Sequence, residues 1–237
     1  MVYFNRTICG MTIDSVWMEW FNMLSESPQN AQSRDGDVIG EVVNAVTIID
    51  DPTRCFMQNS IRKLPMRYCI GELLWYLSRN KKLDAIRLYT KAWDRMSDDG
   101  ETVNSNYGNM ICDHYGFDQL AMVEDLLKNN PESRQAVINI KPAIDLRVEK
   151  TKDLNCTVCL QFLIRDDKLY MTTYMRSNDL WMGFPNDVFQ FTCMQIWLAM
   201  RLGVKLGTYT HIAGSLHLYE RDYNKAKENI ENENKGN

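Results

Sequence analysis

Apolar side chains recur along this chain at two different periods, and the changes between them outline its elements. Across residues 11–24, Ile13, Val16, Trp17, Trp20, Phe21 and Leu24 share one face of a predicted helix. The polar stretch 25–40 reads as a loop. Residues 41–49 hold Val42, Val43, Val46, Ile48 and Ile49 ahead of Asp50-Asp51-Pro52, a β-branched run closed by a turn signal, which predicts a strand. The dense apolar segment 68–77 around Glu72 predicts a buried helix, and 117–130 an amphipathic one stopped by Pro131. Strands are predicted over 136–140, 158–164 and 169–174, the last two joined by a turn at Asp166-Asp167-Lys168. Residues 188–202 return to helical spacing and end at Gly203, a suitable C-terminal cap. The tail 224–237 is nearly devoid of apolar residues and is expected to fray. Helices and strands mix without regular βαβ alternation. The pattern predicts an α+β fold, with helices packed on one face of a mixed β-sheet.

Composition narrows this picture. At 237 residues and 45% hydrophobic, with six tryptophans, the chain is expected to form one catalytic-sized domain over 1–237. A net charge of −4 offers no broad attraction for nucleic acid, so an anionic ligand needs a local cluster of arginines. Seven cysteines, an odd number irregularly spread, fit free thiols in a reducing cytoplasm. The first ten residues lack a signal-peptide pattern, and no window reaches the ~18 apolar residues of a membrane span. A cytoplasmic protein without membrane contact is expected.

The candidate chemistry is concentrated between Asn155 and Tyr219, in N-C-T-V-C-L-Q-F, M-R-S-N-D, G-F-P-N-D and G-S-L-H-L-Y. Cys156-x-x-Cys159 has no second half that would complete a zinc site. On a strand the two thiols would also point to opposite faces. No metal is expected. A nucleophilic thiol reacts as thiolate and needs positive charge nearby, which Arg176, across the 166–168 turn, is placed to supply.

With these motifs the chain resembles the thymidylate synthase family from about Arg34 to Tyr219, and most tightly in the last third. Within it, N-S-N-Y-G, R-S-N-D and G-S-L-H resemble the phage deoxycytidylate hydroxymethylase branch. The resemblance implies a thymidylate synthase-like fold that dimerises through its sheet. It implies Cys156 as nucleophile, Glu72 in G-E-L-L-W as catalytic glutamate, and Tyr107 beside the attacked ring. It makes Arg34, Arg176 and Ser177 phosphate ligands, with Arg134 reaching the partner's phosphate in a homodimer, and gives His217 and Tyr219 the sugar hydroxyl. Trp93, Asp179 and Asn186 fall on the folate side, with 5,10-methylenetetrahydrofolate as co-substrate. Four departures stand out. Gln135 replaces a second arginine, Thr157 a histidine after the nucleophile, and Asn186 a phenylalanine, while the C-terminus lacks the family's short apolar end.

At position 187 the family's asparagine, which matches uracil, is replaced by Asp187. Cytosine presents an N3 acceptor and an N4 amino donor. A carboxylate sharing one proton with N3 while accepting from N4 satisfies both, and also meets the charge that develops when a thiolate adds at C6. Asp187 is equally a favoured N-cap for the 188–202 helix, and the two roles are compatible. The expected reaction is conversion of dCMP, methylenetetrahydrofolate and water to 5-hydroxymethyl-dCMP and tetrahydrofolate. The alternatives are thymidylate synthase, dUMP or CMP hydroxymethylase, dCMP methylase, and a non-catalytic subunit of a nucleotide-supply complex.

Overall fold

The computed structural model describes residues 3–26, 31–33, 36–148 and 150–236, with side chains described up to Asn229 in the last helix. In chain order its elements are β1 (Tyr3–Phe4), β2 (Thr7–Gly10), α1 (Ile13–Glu26), β3 (Ala31–Gln32), β4 (Val38–Ile49), α2 (Met66–Leu77), α3 (Asp84–Arg87) and α4 (Tyr107–Cys112). They continue with α5 (Gln119–Asn129), β5 (Val137–Asn139), β6 (Thr157–Arg165), β7 (Lys168–Met175), β8 (Asn178–Asp179), α6 (Phe184–Leu202), β9 (Lys205–Tyr219) and α7 (Glu220–Gly236). The described strands form one mixed sheet in the order β1-β4-β9-β7-β6-β5, with β2 and β3 on β4 and β8 on β9. This is the α+β arrangement the pattern predicts.

Two long antiparallel ladders flank one parallel one. β4 runs antiparallel to β9 from Ile39↔Tyr219 to Ile49↔Tyr209. β9 runs parallel to β7. β6 and β7 form a hairpin whose tip residues, Asp166 and Asp167, both have positive φ (49° and 59°), the geometry of the tight hairpin turn whose twist matches the strands.

One face of the sheet is sealed by helices. Leu160 and Phe162 of β6, Leu169 and Met171 of β7 and Tyr209 of β9 are buried together with Trp17 and Trp20 of α1 and Val188, Phe191 and Leu198 of α6. The indole N–H groups that enter this core are satisfied, Trp20 by Thr47 Oγ1 and Trp17 by the Leu180 carbonyl, each at 2.8 Å. On the other face, Gln161, Leu163, Thr172, Thr208, Thr210 and Ile212 stay partly exposed and Tyr174 is exposed.

The structure corrects three expectations. The 25–40 stretch is not all loop, because β3 lies within it and β4 already begins at Val38. The helix expected from 188 starts at Phe184, with Pro185 in its first turn and Gly183 as N-cap. A proline there loses nothing, since its missing N–H would have had no helical partner. Asp187 is therefore not the helix cap. The polar tail is helical to Gly236. It is pinned by buried Ala226, by Tyr223 against Phe21 at 6.3 Å, and by Asn229 donating to the Ile61 carbonyl at 2.8 Å.

Candidate active site

The site gathers where β6, β7, β8 and β9 end near the first turns of α4 and α6. Cys156 immediately precedes β6, beside a register shift between Thr157 and Cys159. Such an irregularity bends the strand and re-aims the side chains next to it. Arg176 leaves the end of β7. Its backbone N–H donates to the Cys156 carbonyl at 2.8 Å, and its guanidinium donates to the carbonyls of Leu154 and Asn155, each at 3.1 Å. Those anchors hold Nη2 3.6 Å from Cys156 Sγ. The cation does pull the thiol toward ionisation, yet burial outweighs it, with Asp187 and Asp153 adding to the upward push, and the thiol stands above its ordinary value. Arg176 thus lies beside Cys156, as the sequence suggests, but burial outweighs its effect on the thiol.

Tyr107 is brought to the thiol by the loop before β6. Buried Asp153 accepts from the backbone N–H groups of Asn104 and Ser105 at 2.7 and 2.8 Å. Asn106 then caps α4 by accepting from Asn109 N at 2.9 Å. Tyr107 stacks on Phe191 with centroids 5.7 Å apart and tilts against Tyr76 at 5.5 Å. Burial, followed by the nearby Asp187 and Cys156, raises its phenol well above the ordinary value.

Two carboxylates face this corner. Asp187, in the first turn of α6, accepts from Asn178 Nδ2 at 2.7 Å. Burial, with Glu72 next in weight, lifts its carboxyl well above the usual range. Glu72 of α2 accepts from the Tyr68 hydroxyl at 2.6 Å and from Gln190 Nε2 at 3.2 Å. Burial pushes it up to about 7. The indole N–H of Trp93 lies near the Glu72–Tyr68 pair and is buried without a hydrogen-bond partner of ordinary geometry among the described residues. Its ring packs edge-on against Trp75 at 5.1 Å.

β8 carries Asp179, whose Oδ1 accepts from Trp181 N and Met182 N at 2.8 and 3.0 Å. It pairs with His217 across the β8–β9 ladder. His217 and Tyr219 sit edge-on at 5.3 Å on β9. Burial lowers His217 and raises Asp179. Ser177 is half-buried between Arg176 and β8. Asn186 is buried, accepting from Cys69 Sγ at 3.1 Å.

Arg134 lies elsewhere. Its carbonyl accepts from Gln161 Nε2, which places it on the order of 15 Å along β6 from Cys156 of the same chain. Gln135 is exposed next to it. Arg34 lies outside the described residues.

The site also holds side chains the sequence reading passed over. Asn178 bridges Asp187 to His211. Gln190 holds Glu72. The only signal in the sequence was the N of R-S-N-D. Thr157 Oγ1, Asn155 Oδ1 and Gln190 Oε1 are buried without hydrogen-bond partners among the described residues. Orphaned polar atoms around a thiol and two carboxyls fit a polar ligand. No group of three or more His, Cys, Asp or Glu among the described residues is arranged to hold a metal ion, and no described helix is long and apolar enough to cross a membrane.

A part-buried thiol beside an arginine and two buried carboxyls has the residue types used for nucleophilic addition to a polar substrate. The thymidylate synthase family profile matches residues 17–237, and the chain belongs to that family. It is 36% identical over 166 residues to a deoxyuridylate hydroxymethyltransferase of Bacillus phage SP01, across 65% of this chain and 43% of the relative. The chain thus spans under half the length of that relative. It resembles the solved thymidylate synthase of T4 phage with a TM-score of 0.75 at 22% identity, across 90% of this chain and 79% of that one. That likeness is one of fold.

Proposed function

We propose that the chain is a pyrimidine nucleoside monophosphate 5-hydroxymethyltransferase that acts on dCMP. The observation that carries the substrate is Asp187, a carboxyl that burial pushes toward its protonated form, near Cys156 and Tyr107. A carboxyl that keeps a proton can donate to cytosine N3 while its other oxygen accepts from N4. Uracil, with a donor at N3 and an acceptor at O4, fits an amide better. A polar site built for one edge rejects the other by factors of about 10⁴.

In this reading Cys156 Sγ adds to C6 as its proton leaves, and Arg176 stabilises the thiolate. Asp187 supplies a proton toward N3 as charge moves there. The one-carbon unit comes to C5 from 5,10-methylenetetrahydrofolate, the co-substrate associated with the family. Glu72, held near neutral pH by burial, moves protons around C5. The C5 proton and tetrahydrofolate leave, giving an exocyclic methylene on the pyrimidine. Water adds to that carbon as the C6–Cys156 bond breaks and the thiol regains its proton, where a thymidylate synthase would deliver hydride. The polar residues Thr157 and Asn186 and the polar α7 support that choice. Arg34, Arg176 and Ser177 take the phosphate, His217 and Tyr219 the sugar, and Trp93, Asp179 and Asn186 the folate side. Arg134 serves the site of a partner copy, because it is too far from its own Cys156, and the partly exposed sheet face offers the homodimer contact.

A second reading is favoured by one finding, the name of the SP01 relative, which points to dUMP. Mass analysis of products from dCMP, CMP and dUMP, each with methylenetetrahydrofolate, separates the two. Gain of CH2O on dCMP is expected. Gain of CH2 alone, or CH2O on dUMP only, contradicts the proposal.

A further inference from the structure

A file of buried polar side chains leads from Asp187 into the core. Asn178 Nδ2 donates to Asp187 Oδ2 at 2.7 Å, and Asn178 Oδ1 lies 3.0 Å from His211 Nε2. His211 Nδ1 is 2.9 Å from the Tyr209 hydroxyl, which is 3.1 Å from Thr173 Oγ1. Asn178 is 3% exposed, His211 1%, and Tyr209 and Thr173 0%, so each must satisfy the next.

Donors and acceptors in such a file are linked. With its amide nitrogen on the carboxylate, Asn178 needs a donor for its oxygen, and His211 Nε2 is the ring atom in reach. That requires the Nε2–H tautomer, whose Nδ1 accepts from Tyr209. Burial pushes His211 down to about 3, which leaves the ring a single proton. The opposite polarity would flip the Asn178 amide, turn its oxygen toward Asp187, and demand a proton on Oδ2.

We propose that His211, acting through Asn178, is a positioning residue for Asp187. In its neutral Nε2–H tautomer it locks the Asn178 amide, so that Oδ2 accepts from Asn178 and keeps its second lone pair for cytosine N4, while Oδ1 meets N3. The relay directs any proton held by Asp187 to the oxygen facing N3. This inference rests on Asp187 as the base reader. It adds three residues on β7 and β9, Thr173, Tyr209 and His211, to the determinants of specificity.

Long-range proton–nitrogen NMR of the whole chain, which has three histidines, reads the tautomer directly. His211 should stay in the Nε2–H form from about pH 5 to 8. The Nδ1–H form overturns the relay. Tyr209→Phe removes the hydroxyl that fixes the tautomer and keeps the ring. The dCMP-to-dUMP ratio of kcat/KM should fall about tenfold in that variant, roughly the worth of one net hydrogen bond. A merely structural role would lower both rates together and leave the ratio unchanged. Asp187→Asn is measured alongside. If it moves the ratio and Tyr209→Phe does not, the relay is overturned and the base reader stands. If neither moves it, the base reader fails and the relay with it. Should Tyr209→Phe not fold, the tautomer in the unmodified chain decides alone.

Discussion

Glu72 holds its proton far above the ordinary glutamate value because it is nearly removed from water, and pH exposes the consequence. Between the usual 4.5 and about 7, the folded chain keeps a proton that the unfolded chain has released. Stability therefore declines as pH rises through that window and stays reduced above it. The full effect is on the order of 3 kcal/mol. Glu72→Gln removes the ionisation, so the variant should gain stability relative to wild type as pH rises from about 4.5 to 7. Denaturant melts across that range check this, and a constant difference would contradict a raised Glu72. At the same scale, Cys156, Glu72, Arg176 and Asp187 were legible because their types are rare inside an apolar pattern and fall at family spacing. Asn178, Tyr209 and His211 were not, since buried polar residues on a strand have the composition of a loop.

Among the elements, α4 packs close against α2 at Gly108. A Cβ on Gly108 would come within 1.7 Å of the Tyr76 carbonyl oxygen, a backbone atom of α2 that cannot swing aside. Gly108→Ala should force α4 away from α2, at a cost of at least about 1–3 kcal/mol. Tyr107, the preceding residue, would move with it. We expect a lowered melting temperature and a loss of turnover in the fraction that stays folded. Unaltered values for both would mean the helices are not packed this closely. Most elements followed from periodicity, including α1, α2, α5, β6 and β7. β9 did not, although it is central to the sheet. In its first half the inward positions are Gly207, Tyr209, His211 and Ala213, while Leu206 and Ile212 are only partly buried. There the alternation is present but inverted relative to hydropathy, and only Leu216 and Leu218 near its end are buried large aliphatics. α7 was missed for a similar reason, because a few anchors such as Ala226 and Asp222 hold an otherwise polar helix.

For the molecule as a whole, the proposed homodimer rests on the distance from Arg134 to its own Cys156. Cys156→Ser lacks the thiolate nucleophile, and Arg134→Ala lacks the guanidinium offered to a neighbour, so each alone should be close to inactive. Mixed and allowed to exchange subunits, they should regain activity. One site of the mixed dimer combines the thiol of one copy with the arginine of the other. Absence of recovery, in mixtures shown by sedimentation to exchange, would place Arg134 outside the site. The central claim, that Asp187 makes this fold act on a cytosine nucleotide, is tested most directly by kcat/KM for dCMP and dUMP in wild type and Asp187→Asn. The account predicts that wild type favours dCMP, and that Asp187→Asn loses dCMP turnover by orders of magnitude while gaining measurable dUMP turnover, still mainly to a hydroxymethylated product. A preference that stays the same after the substitution would contradict it.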